Sequence, residues 1–316
     1  MAISTTKPAA FGGPGWAPRE GSMREDLGTI WAACGVSYEW TGLRDVLLHR
    51  PGEELAADDP NAALMLERPD PARVRAQHDA LAAAYRAEGV TVHYVDPWET
   101  PPPNQVFVAD TMLATPEGVI VGRPASPVRA PEVRWVARRL AELGVPILRT
   151  VAGTGTFEGA DALWLNPGAV LLGRSRRTND AGAAQVAVTL RELGADVVQV
   201  DVDLQAMHLM GAVRFLDAER AVVWPGRVTP DTVRALEEHG YRVLEGPDKD
   251  EALRGAALNF VTLGPGRIIM PAGNPVTQGF FEVAGVECVT VEVDELAKAA
   301  GAIGCSTGIL RRDRPA

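Results

Sequence analysis

"GVIVGRPA" at residues 118–125 and "AVLLGRSR" at 169–176 are two copies of one pattern, a short apolar run stopped by Gly-Arg or Gly-Arg-Pro. "DVLLHRPG" at 45–52, "AVVWPGRV" at 221–228 and "RIIMPAGN" at 267–274 are looser copies. Runs this short, rich in branched residues and bounded by Gly or Pro, read as buried strands. The later four each follow another apolar segment across "TPEG", "NPG", "DAER" or "GPG", which makes each pair a hairpin. Downstream of each run, stretches such as "APEVRWVARRLAEL" and "DAGAAQVAVTLREL" space their apolar residues as a helix does, stop at Gly144 or Gly194, and lead into a β-branched strand. "DPARVRAQHDALAAAYRAEG", "TPDTVRALEEHG" and a weaker "NPVTQGFFEVAG" repeat the arrangement.

The unit is therefore β-β-α-β, present five times. The first unit lacks its leading strand, and "GCSTGIL" at 304–310 supplies it by closing a ring. The expected fold is α/β, a five-bladed pseudo-symmetric α/β propeller of ββαβ modules. Residues 37–316 form a single catalytic domain in this reading, and residues 1–36 form an N-terminal lead segment.

Composition narrows the partners. The 316-residue chain is 46% hydrophobic and carries a formal net charge of −10, which disfavours nucleic acid and anionic membrane and suits a cationic small substrate. No run approaches the ~20 apolar residues of a membrane span, and no export signal is expected. Cys34, Cys288 and Cys305 are odd in number and lack C-x-x-C spacing, which points away from a disulfide framework or structural zinc and towards a cytoplasmic setting. "RPASP" carries no phosphate-binding glycine pattern, and the spacing of His, Asp and Glu marks no metal site, so neither cofactor nor metal is expected. Homo-oligomerisation is left open.

A ring of equivalent units brings equivalent positions to its centre. The polar residues just ahead of the hairpins are Asp110, Glu158 and Asp161, His208, Asn259, and Cys305. These are the types a nucleophile site needs: a thiol, a proton shuttle, and carboxylates able to clasp a planar cation through charge-assisted hydrogen bonds. Asp161 is equally suited to capping local backbone. His49, His78, His93 and His239 read as packing or helix-end residues, and Met207 and Met210 as packing.

The ordered set F-V-x-D-T at 107–111, E-G-x-D at 158–161, G-x-S-x-R-T-N at 173–179, H-L at 208–209 and a near-terminal Cys305 resembles the guanidine-modifying enzymes, or penteins. This superfamily includes arginine deiminases, amidinotransferases and dimethylarginine dimethylaminohydrolases. The resemblance implies that Cys305 attacks a guanidinium carbon to form a covalent amidino intermediate, that Asp110 and Glu158 bind the guanidinium nitrogens, and that His208 moves protons. It implies that Arg129 and Arg177, the latter in register with Arg176 as its alternative, hold a substrate carboxylate. Asp161 and Asn259 are counted with the substrate-binding residues. Deiminases and amidinotransferases carry an acid two residues after the histidine. Met210 stands there, as a non-acidic residue does in the dimethylarginine branch, whereas Ala109 replaces that branch's second acid. "IGCST" also lacks the F-H-C-x-T pattern of amidinotransferases. The expected activity is hydrolysis of the guanidino group of arginine or a substituted arginine to a citrulline-like product and an amine or ammonia. An amidinotransferase and a non-catalytic propeller binding protein are the alternatives.

Overall fold

Each of the five apolar runs is the middle strand of a three-stranded sheet. The computed structural model describes residues 7–314. In the second module β3 (Met112–Thr115), β4 (Gly118–Val121) and β5 (Ile147–Thr150) lie in that order, and the third and fourth modules repeat it with β6 (Ala162–Asn166), β7 (Ala169–Arg174) and β8 (Asp196–Asp201), then β9 (Val213–Phe215), β10 (Arg220–Val223) and β11 (Arg242–Glu245). The fifth has β12 (Val261–Gly264), β13 (Arg267–Pro271) and β14 (Glu287–Val291). In all four, the middle strand is antiparallel to the first and parallel to the third.

The first module closes the ring as the sequence predicts. β1 (Leu43–Leu48) runs parallel to β2 (Thr91–Tyr94) and antiparallel to β15 (Gly308–Arg312), with Val46 opposite both Val92 and Ile309. The pseudo-five-fold α/β propeller is thus the observed architecture. Upstream of β1, Gly35 bridges to Arg311 and the Ala32 amide donates to Gly144 O, so the end of the lead segment is tied to two modules.

Each middle strand has an apolar stretch covered on both faces, with charged residues such as Arg44, Arg174, Arg220 and Arg267 at or near the strand ends. Val119, Ile120, Leu171, Leu172, Val222, Ile268 and Ile269 are all fully buried. One covering layer is the crossover helix of each module, Glu132–Glu142 in the second, whose Trp135, Val136 and Leu140 lie in the same core as Ile120 and Val121. Burial of each such side chain contributes roughly 1.5 to 3 kcal/mol. The first- and third-module helices start at side-chain caps: Asp70 accepts from Ala72 N and Arg73 N, and Asn179 accepts from Gly182 N. The second-module helix ends before Gly144, whose φ of 74° is the left-handed conformation that favours glycine.

One further regularity positions the site. The first strand of four modules is preceded by a single tight turn: Val108–Thr111, Gly159–Asp161, Leu209–Gly211 and, before β15, Ile303–Ser306. The first turn touches the second and the fourth, and the second touches the third. Asp110, Glu158, Asp161, His208 and Cys305 sit on or beside these turns, Asn259 lies just ahead of β12, and Arg129 and Arg177 come from loops that follow the hairpins.

Candidate active site

Glu158 and His208 each immediately precede a turn, and their side chains meet: His208 Nε2 lies 2.6 Å from Glu158 Oε2. Asp110, on the neighbouring turn, places Oδ1 3.7 Å from His208 Nδ1. All three are buried. Burial opposes the charge on the imidazole, but Asp110, Glu158 and Asp161 together outweigh it and push His208 up to about 9. Burial likewise opposes ionisation of Glu158, yet the hydrogen bond from His208 and the charges of His208, Arg129 and Arg177 hold its carboxyl well below the usual range. The pair is an imidazolium–carboxylate at neutral pH.

Arg129 completes this cluster from the loop ahead of the second-module helix. Its Nη1 donates to Asp110 Oδ2 at 2.7 Å and to Glu158 Oε2 at 3.4 Å, while Nε and Nη2 fork onto Glu132. Glu132 is fully buried, and burial raises it to about 7 against the pull of Arg129. The Arg129 guanidinium is therefore committed to three carboxylates. Of the two register alternatives, Arg177 points at the site, with Nη1 3.6 Å from Glu158 Oε1, and Arg176 is exposed. Four buried polar atoms around the site lack any hydrogen-bond partner among the described residues: Asp110 Oδ1, Arg177 Nη1, Asn104 Oδ1 and Arg214 Nη2. Asp110, Glu158 and His208 can each aim one ligand atom into a space 4.8 Å across, but Arg129 already brings a cation to the same carboxylates.

Cys305 stands on the Ile303–Ser306 turn, half-buried. Asn259 holds it twice: Nδ2 donates to Sγ at 3.0 Å, and Oδ1 accepts from the Cys305 amide at 3.1 Å. The Gly304 amide donates to Asn259 O at 3.0 Å, a third tie. Burial pushes the Cys305 thiol up and Asp110 adds to this, while the Asn259 amide, the Ala302 backbone and the Arg214 guanidinium pull it back. Arg214 comes from β9, is buried, and donates through Nε to Leu258 O. Its Nη2 passes into the space that a Cβ on Gly304 would occupy, so a larger residue before the cysteine would displace Arg214.

Asp161 has a different role from its neighbours. Oδ2 accepts from Ser175 Oγ and Thr178 Oγ1 and Oδ1 from Leu209 N, so it joins the 173–179 loop to the turn after His208. It lines neither of the two cavities at Cys305. The larger, of about 690 Å³, contains His208, Asn259 and Cys305 and is walled by Met207, Met210, Trp224, Arg227, Leu253 and Arg254, among others. The smaller, of about 20 Å³, lies on the side of Asp110, Arg129 and Arg177. Cys305 and Met207 line both. Met207, read as packing from sequence, is 42% exposed and stands between them. Glu132 had a sequence signal, three residues after Arg129 at a helix start. Arg214 and Trp224 had none, because "VRF" and "AVVWPG" read as ordinary strand and turn.

Five ββαβ modules around a cysteine, an imidazolium–carboxylate pair and an aspartate define the guanidine-modifying class of enzyme. The arginine deiminase family model matches residues 98–234. The dimethylarginine dimethylaminohydrolase of Streptomyces coelicolor is 30% identical over 268 residues, 85% of this chain and 97% of that protein. The chain belongs to the dimethylarginine dimethylaminohydrolase family. In fold it is similar to the Pseudomonas aeruginosa dimethylarginine dimethylaminohydrolase solved with citrulline, with a TM-score of 0.72 at 22% identity over 86% of this chain and 100% of that one. It is as similar to an amidinotransferase of Microseira wollei, with a TM-score of 0.72 at 18% identity over 89% and 98% of the two chains.

Proposed function

We propose that the protein is a cysteine-dependent hydrolase of the guanidino group of arginine or a substituted arginine, working through an S-amidino intermediate on Cys305. The observation that carries this is Asp110 Oδ1, a buried carboxylate oxygen without a hydrogen-bond partner and 3.7 Å from His208 Nδ1, beside a cavity that Cys305 also lines. A buried acceptor left free is costly unless a ligand satisfies it. A guanidinium N–H would do so, with Glu158 gripping a second nitrogen.

A guanidinium is a poor electrophile, so its carbon must be held against a thiolate. The thiol of the free enzyme is raised by burial, and the bound cation beside it would favour ionisation, its proton passing to solvent. The thiolate adds to the amidino carbon to give a tetrahedral adduct. The C–N bond to the departing amine breaks as His208, already an imidazolium, supplies that nitrogen with a proton. Neutral His208 then takes a proton from water, whose oxygen adds to the S-amidino carbon. The C–S bond breaks, Cys305 leaves as thiolate, and a ureido product departs. Asn259 donates to the sulfur throughout, and Arg129 keeps Asp110 and Glu158 aimed.

The test is a screen of arginine, methylated arginines, agmatine and other guanidines for ureido product, repeated with glycine or lysine present. Ureido product without transfer to the added amine supports the hydrolase; an amidino group appearing on the amine makes the enzyme a transferase. No turnover of any guanidine contradicts both.

A further inference from the structure

The two cavities at Cys305 are very unequal. The side of Asp110, Arg129 and Arg177 offers about 20 Å³, and the Arg129 donors there are bonded to Glu132, Asp110 and Glu158. Little room remains on that side for the body of a substrate, although Asp110 Oδ1, Arg177 Nη1 and Asn104 Oδ1 are unpaired there. The opposite side offers about 690 Å³, within the range of about 300 to 1,000 Å³ that holds drug-sized ligands.

The walls of the larger chamber are apolar where a small polar guanidine would need nothing apolar. Met210 forms its inner wall beside His208, and Trp224, Leu258 and Leu253 continue it outwards. Leu66, at 75% exposure, and Leu253, at 59%, both face this one chamber. Large apolar side chains left in water around one cavity mark a binding surface. Its outer rim has cations: Arg227 lies 4.2 Å over the Trp224 ring, and Arg254 is exposed without an ion pair among the described residues. Of the other charged residues at the rim, Lys298 and Asp294 are bonded to Glu295 and Arg73 respectively, and Glu67 is an exposed carboxylate without an ion pair among the described residues.

We infer that the substrate is a guanidine whose nitrogen carries an extended apolar or aromatic substituent ending in a carboxylate, with the substituent along Met210, Trp224 and Leu253 and the carboxylate at Arg227 and Arg254. This rests on the reading that Cys305 acts on a guanidino group, and it names which guanidines. The guanidinium occupies the junction at Cys305, which lines both the chamber and the small cavity of Asp110, and the small volume of that cavity directs the remainder of the molecule outwards.

The experiment measures kcat/KM for ureido product with the wild-type protein across methylguanidine, arginine, Nω,Nω-dimethylarginine, ω-guanidinoalkanoic acids of increasing chain length and guanidinoalkyl benzoates. Each buried methylene should raise kcat/KM about fourfold until the chamber is filled. Replacing the terminal carboxylate by its methyl amide should lower the long members about tenfold, and Trp224→Ala should flatten the dependence on length. If arginine or methylguanidine is turned over while kcat/KM stays flat or falls with chain length, this inference is overturned and the guanidine reading survives. If no guanidine yields ureido product or slows alkylation of Cys305, both fall.

Discussion

Asn259 grips Cys305 at both ends, its amide nitrogen 3.0 Å from the sulfur and its amide oxygen 3.1 Å from the cysteine's own backbone nitrogen. A hydrogen bond donated to sulfur is stronger when the sulfur is an anion, so the contact favours thiolate over thiol. Asn259→Ala should shift the pH profile of iodoacetamide alkylation at Cys305 upwards. It should also lower kcat/KM for guanidine hydrolysis about 10- to 100-fold, the equivalent of one hydrogen bond to a charged group. An unchanged alkylation profile would reduce Asn259 to a packing residue.

The pairing of His208 with Glu158 sets a pH window for stability. The folded pKa of His208 is raised from about 6.5 to about 9, so its contribution is fully present below 6.5 and is lost as pH rises through 9. Glu158 is depressed below its usual 4.5, so its contribution is present above 4.5 and is lost on acidification. From this pair alone, stability has a plateau between about pH 4.5 and 6.5. Denaturant unfolding at pH 6 and pH 9 should show a fall that is smaller in His208→Gln; equal falls in the two proteins would separate the pair from the pH dependence.

Asp110→Asn keeps the shape of the side chain and removes its charge. The bond to Arg129 and the acceptor at Oδ1 are both weakened, and kcat/KM should fall by an amount equivalent to about 1.5 to 3 kcal/mol. The melting temperature, read alongside, checks that the fold persists. Full activity toward every guanidine would remove Asp110 from substrate recognition.

The ring and its closure were legible because they depend on local pattern: apolar runs, helix spacing and stops such as Gly144 repeat at one level of sequence. The positions around the centre were legible for the same reason, since Asp110, Glu158, His208, Asn259 and Cys305 lie at equivalent turns. What they touch was not. The bonds of Arg129 to Asp110 and Glu158, the grip of Asn259 on Cys305 and the bond Asp161 accepts from Leu209 N are set by side-chain geometry between turns, over separations such as the 46 residues between Asn259 and Cys305. The apolar chamber was hidden for a related reason. Met210 and Trp224 lie on either side of the fourth module's hairpin and Leu253 on the helix Lys249–Arg254, and none differs in local pattern from a core residue.

Cys34 and Cys288 provide the contrast to Cys305. Burial pushes both thiols to about 11, neither has an amide clamp, and neither lines either cavity at Cys305. Cys34 packs in the core beside Val36. Cys34→Ser should cost about 1 to 3 kcal/mol of stability by burying a hydroxyl, with turnover retained. Loss of turnover at unchanged stability would give Cys34 a part in the chemistry.

The central claim is that Cys305 carries the amidino group. Enzyme quenched in acid during turnover of a guanidine that yields ureido product, digested and examined by mass spectrometry, should carry an amidino-type mass increase on the peptide holding Cys305. The increase should be absent from Cys305→Ser, whose melting temperature stays near that of the wild type. An adduct on the peptide of Cys34 or Cys288, or full turnover by Cys305→Ser, would contradict the account.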